Sequence, residues 1–377
     1  MRLTLVIGSL RCGGAERILA WLANGWRRDG HAVTLVTLQG GRESPFFRLD
    51  RGVSLAPLAV SRPSRHVLDA VVTNVGRVRA LRAAFRQSRP DVIVSFLTTT
   101  NVLALLAAAG LPAPVIVSER VHPALCPLPG VWRCLRRRLY PRARAVVVQT
   151  DRATAWFPGR MRSRVVVIPN PVARPDRAGR RKTRPDDHRT VLGVGRLTRQ
   201  KGFDLLIRAF AAATRPHDGW DLVIAGEGPE RQALAGLAAR CGVADRVRLI
   251  GRQADIQSTY TATDIFALPS RFEGFPNALL EAMAAGLPAV AADCLAGPRE
   301  IICDERNGLL VEPENVNALT LALSRLLTDA SLRRRLGAAA AGIVEAYDAD
   351  AVHQRWNALV AEVAGERHVG RTRAHPG

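Results

Sequence analysis

The residues best placed for chemistry are Glu273 and Glu281, within the stretch 269–286, PSRFEGFPNALLEAMAAG. This stretch reads as the end of a strand, a glycine turn and a short helix. The apolar run 265–268 has the character of a buried strand. Gly274 permits a sharp turn that other side chains resist. Pro276 suits the first turn of a helix, where a missing N–H costs nothing, and Gly286 followed by Pro288 ends that helix. Glu273 falls in the turn, and Glu281 falls one helical turn beyond Asn277, on the same face. The N–H groups of Asn277, Ala278 and Leu279, at a helix start, form an anion site that suits a phosphate. A carboxylate deeper in the helix suits ribose hydroxyls. Together they describe a pocket for a nucleoside diphosphate. The alternative is an amphipathic helix carrying two solvated glutamates, and the rest of the chain weighs against it.

The pattern Glu273-x7-Glu281 within SRFEGFPNALLEAMAAGLP resembles the signature of family four glycosyltransferases, which are retaining, nucleotide-sugar-dependent enzymes of the GT-B architecture. The resemblance extends over almost the whole chain and is similar to bacterial transferases that extend lipid-linked N-acetylhexosamine glycans. It implies an α/β fold of two Rossmann-like, doubly wound parallel-sheet domains facing across a cleft. It also implies roles for particular residues. The turn Glu273-Gly274-Phe275 meets the donor sugar, with Glu273 against its hydroxyls. The loop 195–202, GRLTRQKG, brings Arg196 and Lys201 to the donor phosphates, where fixed cations stabilise the charge that grows on a leaving diphosphate. Gly13 and Gly14, in GGAER after the first strand, lie against the donor diphosphate and the acceptor. Arg252 marks the nucleobase region. Glu119, Arg120 and His122, in SERVHP, supply contacts on the acceptor or sugar side. Family members often place Asn where Val121 or His122 stands, and a lone His is as readily structural. No Asp-x-Asp follows a strand in a donor context, so no catalytic metal and no cofactor beyond the nucleotide-sugar co-substrate are expected. UDP is the expected nucleotide, and a hexose or N-acetylhexosamine the expected sugar.

These residues need a scaffold of strand ends. Strands at 3–8, 32–38, 53–57, 91–96, 115–118, 145–150 and 165–169 alternate with helices at 68–86 and 102–109, and the pattern resumes after residue 190. Such alternation indicates parallel, doubly wound sheets. The expected divisions are an acceptor-side domain at 1–172, a basic linker at 173–189, a nucleotide-sugar domain at 190–347, a helix at 348–364 crossing back to the first domain, and a frayed tail from Gly365. Helix 68–86 carries Val71, Val72, Val75, Val78 and Leu81 on one side and Arg77, Arg79, Arg82 and Arg86 on or beside the other, which suits an ordinary packing helix with a solvated face or a membrane surface.

With 377 residues, two domains are the natural division. No run of about 20 apolar residues exists to span a membrane. The six cysteines lack a Cys-x-x-Cys spacing, which excludes the usual zinc and thioredoxin-like motifs and fits free thiols. Net charge is +21, unevenly spread: 33 basic and 11 acidic residues through Arg189, a balance of +22, against 21 and 22 thereafter, a balance of −1. The first half therefore faces an anionic partner. Arginines interleaved with apolar residues at 131–140 suit an anionic membrane surface or an ordinary packing helix. The expected location is cytoplasmic, at the inner membrane face, with a lipid-linked glycan as acceptor. Two rival readings are a nucleotide-sugar epimerase of the same fold and a non-catalytic polyanion-binding protein. No helix-turn-helix, zinc-finger or RNA-binding signature favours nucleic acid as a partner.

Overall fold

The computed structural model describes residues 1–40, 45–60, 66–125, 128–173, 189–215, 219–253 and 255–372, with side chains described to 365 except at 67 and 68. The expected linker falls almost wholly outside these residues. The chain forms two compact units, Met1–Asn170 with Asp350–Gly377, and Pro171–Ala349.

In the first unit, β1 (Arg2–Ile7), β2 (Ala32–Thr37), β3 (Ser54–Pro57), β4 (Val92–Phe96), β5 (Val115–Ser118), β6 (Ala145–Val148) and β7 (Val165–Val167) form one sheet in the order β3-β2-β1-β4-β5-β6-β7. Every pairing is parallel. Its central strands are apolar without alternation because helices cover both faces. Helix Gly14–Arg28 buries Leu19, Leu22 and Trp26 on one face. The terminal helix Ala349–Thr372 packs there too. Trp356 stacks 6.0 Å from Phe96 and meets Trp26 edge-on at 6.1 Å.

Three elements differ from expectation. Helix Val67–Ser88 buries Leu81 and Phe85, yet Val71, Val72 and Val75 are exposed. Its 22 residues span about 33 Å, whereas six-residue strands span about 20 Å, so its first turns outrun the sheet. Of its arginines, Arg77 donates to the Val60 carbonyl and Arg82 to those of Ala107 and Ala109, while Arg79 and Arg86 face solvent. Helix Thr98–Ala108 starts four residues before Val102 because Thr98, Thr100 and Asn101 are buried in it, where tertiary partners override weak helix propensity. The terminal helix continues past Gly365 to Thr372.

In the second unit, β8 (Arg189–Val194), β9 (Trp220–Ala225), β10 (Val247–Gly251), β11 (Ile265–Leu268), β12 (Ala289–Ala292) and β13 (Leu309–Val311) form a parallel sheet in the order β10-β9-β8-β11-β12-β13. The order reverses between β8 and β11, and in the first sheet between β1 and β4. Crevices at the carboxyl ends of such strand pairs are where open α/β sheets take ligands. The segments singled out by the sequence, 195–202 and 269–276, leave β8 and β11 at that point.

Candidate active site

Lys201 sits at the end of a short turn, Arg199–Lys201, and Glu273 in the turn after β11. Their side chains meet: Lys201 Nζ lies 2.6 Å from Glu273 Oε1, and Ser270 Oγ donates to the same oxygen at 2.6 Å. Glu273 is 4% exposed. A carboxylate so placed is held in one orientation by a cation and a hydroxyl.

The two turns are clamped together. The Arg271 N–H donates to the Gln200 carbonyl and Gln200 Nε2 to the Phe272 carbonyl, at 2.8 and 3.0 Å. The Arg271 guanidinium grips both Asp204 carboxylate oxygens at 2.8 Å and also reaches the Arg199 carbonyl and Glu314. The Asp204 hydrogen bonds raise the Arg271 pKa above its usual value. In Asp204, burial pushes the carboxyl up, but Arg271 outweighs it and the net shift is downward.

Glycine geometry closes the crevice further. Gly202 is left-handed (φ 66°), and a Cβ there would lie 2.1 Å from the Pro269 carbonyl oxygen. Gly202→Ala is therefore expected to cost about 2 kcal/mol or more. Gly242, equally left-handed but with nothing within 4 Å, provides the control. Urea denaturation of Gly202→Ala and Gly242→Ala separates the clash from the conformational cost, and equal losses would refute the close approach.

Pro276 precedes helix Asn277–Ala284, which buries Leu279, Leu280 and Met283. The Asn277 N–H turns back to the Phe275 carbonyl at 3.0 Å, so the expected three-membered anion cradle narrows to Ala278 and Leu279. Phe275 is packed in the core of this unit. Glu281 is buried and accepts from Tyr260 Oη at 3.2 Å. Arg196 and Arg252 are exposed, on the loops after β8 and β10. Gly274 lies in the turn beside Glu273. Cys294, which the sequence reading passed over, is buried after β12. Burial first, and then the nearby Glu273 charge, push its thiol up to about 12. Arg271, Asp204 and Ser270 were likewise missed. Only the adjacency of Ser270 and Arg271 to Glu273 signalled them.

In the first unit, Gly13 and Gly14 open the helix that follows β1, with extended backbone at Gly13. Glu119 and Arg120 require a correction, for both point inward. Glu119 accepts from Thr98 Oγ1 at 2.6 Å and from the Tyr140 hydroxyl at 2.5 Å. Burial raises its pKa despite those bonds and the nearby Arg136. Arg120 donates to Ser118 Oγ and Asn170 Oδ1 and lies 4.6 Å over the Phe96 ring, and burial brings its pKa down to about 9. These contacts tie helix Thr98–Ala108, β5 and the end of the first unit together. His122 is half-buried, and its Nδ1 accepts from the Ala124 N–H at 3.2 Å. Burial lowers its pKa against a hydrogen bond to the Arg152 backbone. Leu97, at the end of β4, is left-handed (φ 76°), a strained conformation beside the switch point of this sheet.

Two family profiles match in tandem. "Glycosyl transferase 4-like domain" covers residues 13–171 and "Glycosyl transferases group 1" covers 176–342. The chain is 29% identical over 364 residues to the GalNAc-alpha-(1->4)-GalNAc-alpha-(1->3)-diNAcBac-PP-undecaprenol alpha-1,4-N-acetyl-D-galactosaminyltransferase of Campylobacter jejuni, covering 96% of this chain and 99% of that one. It is 26% identical to the amylovoran biosynthesis glycosyltransferase AmsD of Erwinia amylovora, over 95% and 99% of the two chains. Among solved structures, sucrose-phosphate synthase from Thermosynechococcus elongatus superposes with a TM-score of 0.84 at 20% identity, over 97% and 99% of the two chains. HepE from Anabaena, in complex with UDP and glucose, gives 0.76 at 21% identity, over 96% and 100%. At those identities the likeness concerns the fold. The chain belongs to the family four glycosyltransferases and has their GT-B architecture of two parallel-sheet, Rossmann-like units.

Proposed function

We propose that this glycosyltransferase moves a hexose or N-acetylhexosamine, with retention, from a UDP-sugar to a lipid-linked saccharide in surface-glycan assembly. The observation that carries the reading is the Lys201–Glu273 pair beside the start of helix Asn277–Ala284. As the sugar–phosphate bond breaks, negative charge grows on the diphosphate. Lys201, Arg196 and the Ala278 and Leu279 N–H groups neutralise it without a metal. Glu273, held by Lys201 and Ser270, orients the sugar hydroxyls. The acceptor attacks the face the diphosphate leaves, and a phosphate oxygen takes its proton. Glu281 and Arg252 serve the nucleoside. The Campylobacter relative's name specifies an undecaprenyl-diphosphate-linked acceptor, and the Anabaena structure contains UDP. Both support the assignment of substrates by analogy.

Among the described residues no helix is long and apolar enough to cross a membrane. The arginine-rich helix Gly130–Leu139 and the exposed valines of helix Val67–Ser88 support peripheral contact with an anionic membrane at its cytoplasmic face.

The test is a melting-shift panel of UDP, GDP and ADP and their sugars, with and without magnesium, followed by transfer assays with and without a lipid-linked acceptor. A metal-independent shift with UDP compounds and acceptor-dependent product are expected, with Glu273→Gln cutting transfer at least about 10²-fold. Donor conversion without acceptor would favour the epimerase, and full transfer by Glu273→Gln would remove the role given to Glu273.

A further inference from the structure

Helix Gly130–Leu139 borders a cavity of about 670 Å³ lined by Gly130, Arg133, Arg136, Arg137, Arg138 and Trp156, with no acidic side chain among the described residues of its wall. Three of these arginines, Arg133, Arg137 and Arg138, are exposed. Arg136 differs: it is only 5% exposed, and its guanidinium carbon lies 4.2 Å over the Trp156 ring. Its Nε and Nη1 are buried and meet no hydrogen-bond acceptor among the described residues. Buried N–H donors without a partner are costly and uncommon, and a charged guanidinium raises that cost. Glu119 acts on Arg136 through space, but its two oxygens are taken by Thr98 and Tyr140. Nothing in the donor site uses this cavity.

We infer that this cavity is a phosphate-binding site, in which Arg136 is the anchor and Arg133, Arg137 and Arg138 close around a phosphate oxyanion. Four guanidinium groups, with no acidic side chain among the described lining residues, call for a multiply charged anion, and the planar guanidinium fork matches phosphate oxygens. Trp156 stiffens the Arg136 head from one side and offers an apolar wall to whatever the phosphate is esterified to. Val131, exposed on the first turn of the same helix, extends that apolar margin. The same chemistry is presented by a phospholipid headgroup and by a soluble phosphate.

The experiment measures binding on the whole chain without donor or turnover; because pyrophosphate also suits the donor-phosphate residues, it is run in the Lys201→Ala background, which keeps it separate from the transferase reading. One arm titrates inorganic pyrophosphate by calorimetry. The other floats the protein with phosphatidylglycerol or phosphatidylcholine vesicles, with and without pyrophosphate as competitor. Saturable pyrophosphate binding without vesicle association assigns a soluble phosphate ligand. Association with phosphatidylglycerol that pyrophosphate competes away assigns a lipid headgroup. In either case Arg136→Gln is expected to weaken binding at least about ten-fold. Because Arg136 is buried, Arg133→Gln/Arg137→Gln/Arg138→Gln provides a second variant on exposed positions, with the same expected loss. Arg79→Gln/Arg86→Gln/Arg89→Gln removes equal charge from exposed positions elsewhere in the unit and should change binding less than about two-fold. Absence of binding in both arms, or equal loss in the charge-matched control, overturns the site.

Discussion

Lys201→Ala is expected to lower kcat/KM for sugar transfer by about 10²–10³-fold, the range typical of removing one fixed group that stabilises transition-state charge. The same change should also destabilise the second unit. Glu273 is 4% exposed, and without Lys201 its carboxylate keeps, among the described residues, the Ser270 hydroxyl. Breaking a fully buried pair costs about 3–5 kcal/mol. Lys201 has a fifth of its side chain in water, 19%, so the loss here should fall below that range. The two effects can be separated. Lys201→Ala/Glu273→Gln removes the stranded charge and should recover most of the lost stability in urea denaturation, while activity stays low. A Lys201→Ala protein with normal kcat/KM would show that the leaving diphosphate is stabilised elsewhere. A double variant as unstable as the single one would show that the carboxylate was never strained by the loss. Lys201→Arg is expected to rescue poorly, because a planar guanidinium does not reproduce the compact ammonium that meets Glu273 Oε1 at 2.6 Å.

Glu119 governs the second large effect, on the first unit. Glu119→Ala removes the acceptor for the Tyr140 and Thr98 hydroxyls and opens a cavity, and is expected to cost about 2–4 kcal/mol. Glu119→Gln keeps the shape and one accepting oxygen, with the hydroxyl at the amide end turning to accept from the NH2, and so removes the charge at small steric cost. Burial raises the Glu119 pKa in the folded protein, so the native state holds the proton more tightly than the unfolded chain does. The sign follows: the stabilisation is complete below the unfolded carboxyl value near 4.5 and is lost as pH rises through the folded value. Melting temperatures from pH 4 upward should show this decline in the native protein and a flatter profile in Glu119→Gln. A wild-type stability that instead rises with pH over that range, relative to Glu119→Gln, would mean that Arg136 and the two hydroxyls hold the carboxylate ionised.

Much of the site was legible in the chain because its parts are local. The buried run of β11 and the helix stop at Gly286 are decided by neighbours a few residues away, and the structure has both, whereas Gly274 is a bend without the positive φ that only glycine favours. Parallel sheets likewise follow from unbroken apolar strands separated by helices. Helix Val67–Ser88 shows the limit of such reading. Periodicity identifies an apolar face but not how far the sheet beneath it extends, and Val71, Val72 and Val75 are exposed.

By itself, then, the sequence determined the family, the doubly wound sheets and which loops leave the strands at their switch points. Only the tertiary structure decided what each charged side chain meets there. Lys201 and Glu273 are 72 residues apart, as are Arg271 and the Arg199 carbonyl, and Arg271 and Asp204 are separated by 67. Glu119 and Arg120, which look like ligand contacts in the chain, are turned inward by Thr98, Tyr140 and Asn170. Backbone conformation is set mainly by sterics within a few residues. The cost of placing a charge depends on the solvent and partners around it, and those are supplied by segments that are close only after the chain has folded.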